Sequence, residues 1–255
     1  MGGVSFDLTG KHALVSGGTR GIGRAIAEAF VEAGATVAVI GRDAPRARDA
    51  ARELSRQGRT ARAVVSDLEA DGAAESAVRD ALAALGQIDI LVNNAGVSQG
   101  GKAALDVDAV LLDRVMNVNF RSPFLLCREA GRHMIERGQG GRIINITSID
   151  GLRAYPSGVI YSASKGALEL LTKSLAVEWA PHRILVNSIA PGWIRTDMTQ
   201  RVFGQPLEQQ VLAHTPLSRW GEAGDLAGMA LFLASDAGAF TTGATMVIDG
   251  GYVQG

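Results

Sequence analysis

The sequence predicts an α/β chain, a doubly wound parallel sheet of about seven strands with helices on both faces, built as a single domain. Three observations carry that expectation. Short apolar runs alternate with longer stretches of helical periodicity along the whole chain. The apolar runs lack strict apolar–polar alternation, which is how strands read when both faces of a parallel sheet are covered. With 255 residues, 47% of them hydrophobic and 20% charged, the chain is large enough for one sizeable core, and folds of this class commonly reach such a length undivided. Internal repeats, low-complexity tracts and linkers are absent from the sequence, so residues 1–255 are read as one domain.

The elements follow in order. His12-Ala13-Leu14-Val15 opens the first strand, near 12–16. A glycine turn comes next, and then a helix near 21–34 that places Ala25, Ile26, Ala29, Phe30 and Ala33 on one side. A strand near 36–41 leads to a helix near 43–58, with Asp43 placed to cap a helix starting at Ala44. Further strands are expected near 61–65, 88–92, 142–147, 184–190 and 244–248. Helices fill the gaps near 72–85, 104–137 (with an interruption), 157–180 and 222–235. Residues 197–220 contain Gly204, Pro206 and Pro216 and no strand pattern, so they read as a lid. Asn145-Ile146-Thr147 fits a glycosylation pattern but ends an apolar run that reads as a buried strand, and is set aside.

Composition excludes several classes of function. A net charge of −1 offers no electrostatic reason to bind nucleic acid or an anionic membrane. Met1 to Lys11 lacks the basic start and apolar core of a signal peptide, and no apolar run reaches the eighteen or so residues of a membrane span. The single cysteine, Cys127, lies in an apolar helix and cannot form an internal disulfide, which suits a cytoplasmic protein. No metal site is expected.

Two local patterns carry chemistry. Ser16-Gly17-Gly18-Thr19-Arg20-Gly21-Ile22-Gly23 stands between a strand and a helix, where glycines let the backbone approach a pyrophosphate and the helix N-terminus receives its charge. Its spacing is G-x-x-x-G-x-G, unlike the commoner G-x-G-x-x-G. Tyr161 and Lys165, thirteen and seventeen residues beyond Ser148, sit at i and i+4 on one helix face. An ammonium beside a phenol favours the phenolate, drawing a pKa of about 10 toward the range where it exchanges protons with an alcohol or ketone.

With Asp67-Leu68, Asn93-Asn94-Ala95-Gly96, Asn119, Ser148 and Pro191-Gly192-Trp193-Ile194-Arg195-Thr196 following in order, the chain resembles the short-chain dehydrogenase/reductase family over nearly its whole length. The resemblance implies a Rossmann-type, NAD(P)-binding fold and hydride transfer between a nicotinamide cofactor and a small carbonyl or alcohol substrate. By the same resemblance, Tyr161 is the acid/base, Ser148 bonds the substrate oxygen, Lys165 lowers the Tyr161 pKa and holds the nicotinamide ribose, and Asn119 holds a relay water. Gly17, Thr19, Arg20, Gly21, Ile22 and Gly23 are expected around the pyrophosphate. Asp67 and Leu68 are expected at the adenine, Asn94, Ala95 and Gly96 at the riboses, Ile194 and Thr196 at the carboxamide, and Pro191 and Gly192 elsewhere along the cofactor. Simpler readings stand beside these: Ser148 as a strand-end residue, Asn119 as a structural hydrogen bonder, Asp67 as a turn residue, Asn94 as a tie between strands.

Cofactor choice turns on Ile40-Gly41-Arg42-Asp43. Gly41 stands where NAD-using relatives carry an acid, and Arg42, with Arg20, offers guanidiniums to a 2′-phosphate. NADP(H) is expected over NAD(H), the other reading being Asp43 as the ribose acid. Gln99, Asp150, Arg153, Tyr155 and Trp193 are pocket candidates, with Asp150 alternatively a solvated turn acid. The expected activity is an NADP(H)-dependent carbonyl reductase or secondary-alcohol dehydrogenase. An NAD-dependent sugar or polyol dehydrogenase and a catalytically silent nucleotide-binding sensor are the alternatives. The chain looks similar both to gluconate and glucose dehydrogenases and to 3-oxoacyl-carrier-protein reductases. Relatives of this length form homotetramers through helices equivalent to 117–137 and 157–180, where Leu168, Leu170, Leu171, Leu175, Ala176 and Trp179 exceed what one buried face needs.

Overall fold

The strands form because both of their faces are apolar, and their side chains divide between two cores with a period of two. In a computed structural model describing residues 4–55 and 60–254, Ala13 and Val15 of β1 (His12–Ser16) enter one core and Leu14 the other. β2 (Thr36–Gly41) splits likewise, Val37 and Val39 against Ala38 and Ile40. The last residues expected of a helix over 43–58 lie outside the described residues, as do the two ends of the chain.

β1, β2, β3 (Ala61–Val65), β4 (Ile90–Asn93), β5 (Gly141–Ile146), β6 (Ile184–Pro191) and β7 (Thr245–Ile248) form one parallel sheet in the order β3-β2-β1-β4-β5-β6-β7. Val15 stands between Val39 and Val92 in register. The direction of strand addition reverses between β1 and β4, and at that switch a parallel sheet opens its ligand crevice.

On one face, α1 (Gly21–Glu32), α2 (Ala44–Leu54) and α8 (Gly224–Ala234) bury Ile26, Phe30, Leu54, Leu226 and Leu233. On the other, α3 (Ala73–Leu85), α5 (Ser122–Arg137) and α6 (Val159–Trp179) bury Val78, Leu126, Met134 and Leu175. Asp43 caps α2, its Oδ1 accepting the Arg46 N–H at 2.8 Å.

Two regions differ from the sequence expectation. The stretch 104–137 is a 3₁₀ turn (Ala104–Asp106), then α4 (Ala109–Met116), capped by Asp108 Oδ1 accepting Leu111 N–H at 2.7 Å, and then a π turn (Asn117–Arg121) running straight into α5. The interruption is thus one widened turn of a continuous helix, a device that recurs at functional sites. The segment 197–220 contains an unforeseen helix, α7 (Pro206–His214), started by Pro206 in its first turn. Its flanks are clipped together, Arg195 N–H donating to Gly221 O at 2.8 Å and Gly221 N–H to Trp193 O at 2.9 Å. Val202, Val211 and Trp220 form a small core of their own, with Trp193, Phe203, Leu207 and Leu212 packed around it.

Phe30 is fully buried between α1 and the sheet. Phe30→Ala is expected to destabilise the fold by about 3–5 kcal/mol, read as a lower denaturation midpoint at unchanged slope; a shift under about 1 kcal/mol would show that this face repacks.

Candidate active site

The site begins where β1 and β4 end. Ser16 Oγ accepts the N–H groups of Asn94 (3.0 Å) and Ala95 (3.1 Å), and Asn94 Nδ2 donates back to Ser16 O (3.0 Å) and Gly17 O (3.2 Å). This reciprocal tie satisfies backbone groups that the diverging strands leave without sheet partners. Gly17 turns the chain at φ +63°, a conformation glycine adopts without strain. Gly23, expected at the pyrophosphate, packs behind this turn instead: a Cβ there would press on the Asn94 amide and lie 2.5 Å from Gly17 O. Its role is close helix–strand approach.

A groove runs from this turn across the sheet edge. Gly17, Thr19, Arg20, Gly21, Ile22, Arg42, Asp67, Leu68, Asn94, Ala95, Gly96, Tyr161, Lys165, Pro191, Gly192, Ile194 and Thr196 all line it, joined by Ile40, Ser66, Met198 and Thr199, which the sequence did not single out. Gly41 carries no side chain to bond a ribose, and a Cβ there would stand 2.6 Å from Thr19 Cγ2, so the Thr19 side chain would have to shift to admit an acid. Asp43 is engaged as a helix cap. The end of β2 therefore presents Arg42, exposed, with no acid to bond a ribose. Arg20 lines the same groove but pairs across it with Asp197, both more than half exposed.

The phenol and the amine are set by three anchors. Ser148 follows β5 and caps the turn Ile149–Gly151, its Oγ accepting Asp150 N–H at 3.1 Å. Gly151 lets that turn lie on α6, since a Cβ there would stand 2.8 Å from the Lys165 carbonyl carbon. Gln99 Oε1 accepts the N–H groups of Ile160 (2.8 Å) and Tyr161 (3.1 Å), while its Nε2 donates to Lys102 O at 2.9 Å. Gln99, expected to meet substrate, borders the cavity but has its amide committed to the start of α6. Lys165 Nζ donates to Ile146 O at 2.8 Å and lies 5.8 Å from the centre of the Tyr161 ring. Asn119, in the π turn, is fully buried: its Oδ1 accepts Val97 N–H (2.8 Å) and its Nδ2 donates to Val97 O (2.9 Å) and Ser164 Oγ (3.1 Å). Its side chain thus braces the loop after β4 and does not line the groove.

The charges correct one expectation. Burial pushes the Tyr161 phenol up to about 12, aided by Asp150 and opposed by the Ser148 hydroxyl paired with it. Burial likewise brings Lys165 down to about 8, with Glu169 acting in the other direction. Desolvation thus sets the phenol, and the lowering expected from the nearby amine does not appear.

A second cavity of about 720 Å³ meets the groove at Ser148, Tyr161, Gly192, Met198 and Thr199. Asp150, Tyr155 and Trp193 line it, and so do Arg201, His214 and Tyr252, from the segment 197–220 and the residues after β7. Tyr155 and Tyr252 meet Trp193 edge-on, at 5.9 and 6.5 Å between ring centres. Arg153 is not among the lining residues; its guanidinium lies over the Tyr252 ring, 5.0 Å from the ring centre. Desolvation raises the Asp150 carboxyl to about 6 against the pull of Arg153.

Residues 17–253 match the family model described as enoyl-(acyl carrier protein) reductase. The chain belongs to the short-chain dehydrogenase/reductase family. This short-chain dehydrogenase/reductase is 36% identical over 249 residues to the 2-dehydro-3-deoxy-D-gluconate 5-dehydrogenase of Formosa agariphila, covering 96% of this chain and 94% of the relative. It is 39% identical to the 3-oxoacyl-[acyl-carrier-protein] reductase of Aquifex aeolicus, covering 97% and 99%. It superposes with a TM-score of 0.94 on the crystal structure of a gluconate 5-dehydrogenase from Burkholderia cenocepacia in complex with NADP and tartrate, at 35% identity and covering 99% and 98%. As a short-chain dehydrogenase/reductase it is an oxidoreductase.

Asp150 holds its proton more tightly when folded than when unfolded. The folded chain therefore binds more protons between pH 4 and 6, and stability declines as pH rises through that window. Asp150→Asn is expected to match the parent near pH 4 and to exceed it by about 1–3 kcal/mol above pH 6, measured by denaturant titration at both pH values. Equal stability throughout would show that Asp150 is solvated.

Proposed function

We propose that the protein is an NADP(H)-dependent oxidoreductase that interconverts a ketone and a secondary alcohol on a hydroxylated, sugar-acid-like substrate, with Tyr161 as acid/base. The observation that carries the reading is the meeting of the nucleotide-sized groove and the second cavity at Ser148 and Tyr161. A nicotinamide cofactor held in the groove supplies or takes the hydride. Tyr161, a neutral phenol near pH 7, donates its proton to a carbonyl oxygen and recovers it when an alcohol is oxidised. Ser148 bonds the same oxygen and stabilises charge as it develops. Lys165, anchored on Ile146 O, faces the groove as a cation for ribose hydroxyls.

NADP(H) is favoured because Gly41 leaves the end of β2 without an acid, Asp43 caps α2, and Arg42 and Arg20 border the groove. A 2′-phosphate dianion suits two guanidiniums. The sugar-acid class is supported by the named activities of the gluconate-type relatives and by the ligands named for the Burkholderia enzyme. Asp150, Arg201 and His214 give the cavity hydrogen-bonding and charged groups suited to hydroxyls and a carboxylate. An acyl chain, the other substrate class among the relatives, would leave those groups without partners. Residues 197–220, with their own core and clipped ends, act as the lid over this cavity.

Activity is expected with NADPH on keto-sugar acids, measured as absorbance decay over a panel that includes neutral keto-sugars and 3-oxoacyl thioesters. Tyr161→Phe should lower kcat by at least about a thousandfold with NADPH affinity retained, a loss in keeping with removal of the acid/base. Arg42→Ala should weaken NADPH more than tenfold and NADH little. Tight NADPH binding without turnover would favour the sensor, and NADH preference would remove the arginine argument.

We also place the enzyme in the cytoplasm as a homotetramer. Phe124 on α5 and Leu170 and Val177 on α6 are exposed, Val177 at 80%, forming an apolar face on the helices read as the interface. Among the described residues no helix is long and apolar enough to cross a membrane. Light scattering should give four chains; a monomer would remove the assembly.

A further inference from the structure

Glu169 is a buried carboxylate for which the chemistry above has no use. It is 4% exposed and lies one turn beyond Lys165 on α6. Three hydroxyls from three strand regions converge on it. Thr147 Oγ1, just beyond β5, donates to Oε1; Ser188 Oγ on β6 (2.8 Å) and Thr245 Oγ1 on β7 (2.7 Å) donate to Oε2. These hydroxyls give both oxygens of a buried carboxyl group hydrogen-bond partners, which a polar group removed from water requires. Lys165 docks on Ile146 O, and Glu169 docks on the side chain of the next residue, Thr147. The cation and the anion thus rest on consecutive residues at one strand end.

We propose that Glu169 is a positioning residue, a buried counter-charge that keeps Lys165 a donor to the groove and a cation beside Tyr161 at neutral pH. The inference rests on reading Tyr161 and Lys165 as the acting pair. The other charged groups on elements packed against α6, among the described residues, leave the task to Glu169. The turn after β5 brings Asp150, beside the phenol, and Arg153, over Tyr252. β5 brings Arg142, 3.7 Å from Asp236, and α4 brings exposed Asp113 and Arg114. The π turn ends in Arg121, paired with Asp71 at 2.8 Å, and the turn after α6 carries exposed His182. β6 and β7 present neutral Asn187, Ser188 and Thr245. Burial draws Lys165 toward the free amine, and Glu169 opposes it.

The test compares pH profiles of kcat for the parent, Glu169→Gln and Glu169→Asp. Removing a negative neighbour lowers the pKa of an amine. The alkaline limb of Glu169→Gln should therefore move down by about one pH unit or more, which is roughly a tenfold loss at pH 8.5 with near-parental kcat at pH 6. Glu169→Asp should restore the limb. A uniform loss at every pH, or an unmoved limb, would overturn the proposal. A second measurement needs neither turnover nor the variant: with four lysines in the chain, the ¹³Cε resonance of Lys165, assigned through Lys165→Arg, should report an ammonium in the parent at pH 7. A neutral amine there would overturn the proposal even if Glu169→Gln fails to fold. An ammonium in a protein that turns over no carbonyl would support the counter-charge and count against the oxidoreductase chemistry proposed above.

Discussion

The divergence of the chain at the carboxyl ends of β1 and β4 is the constraint on which the molecule depends. Strands are added away from this point in both directions, so α1 leaves toward one face and the chain after β4 toward the other. A gap between them is unavoidable, and its walls are backbone groups without sheet partners. Ser16 and Asn94 close the account by bonding each other's main chains, and Gly23 lets α1 come close enough for the bond to form. The groove, the end of β5 that receives Lys165, and the turn that sets Ser148 all take their positions from that junction.

Burial then sorts the titratable groups. Desolvation disfavours every charge, yet its outcome differs with partner. Tyr161 is held as a phenol, Asp150 is brought to the middle of the physiological range, and Lys165 is brought down toward it. Asp89 is also buried but receives the His12 N–H and Arg137, and its carboxyl stays below the ordinary value. The difference lies in the donors: Asp89 accepts several, whereas burial dominates at Asp150 and Tyr161 beside the cavities. Such groups can change protonation when something binds.

Most of the sheet was legible because its central strands are largely apolar on both faces, a pattern that survives without knowledge of the partner. The groove was legible too, since its loops lie at strand ends and carry glycine, asparagine and proline in order. Other features depended on information the local sequence does not hold. The π turn differs from an α turn by one backbone register and leaves the apolar pattern nearly intact. α7 was hidden by Gly204 and Pro206, which read as loop formers although proline favours a first helical turn. Gln99 and Arg153 were placed in the pocket by sequence neighbourhood; Gln99 does border it while holding the first amides of α6, whereas the fold directs Arg153 to an aromatic ring. Glu169 carried no signal, because the three hydroxyls that hold it come from positions 147, 188 and 245.

The segment between Trp193 and Gly221 has joined ends, its own helix and its own hydrophobic cluster. Its internal packing makes little demand on the register of the sheet beneath it. A chain built in this way can exchange the part of that stretch beyond Thr199, by recombination or by grafting in the laboratory, while Ile194 to Thr199 and the rest of the groove stay intact. Diversification of what the scaffold acts upon is then decoupled from preservation of how it acts, and a chimaera carrying a relative's segment is a practical route to new selectivity.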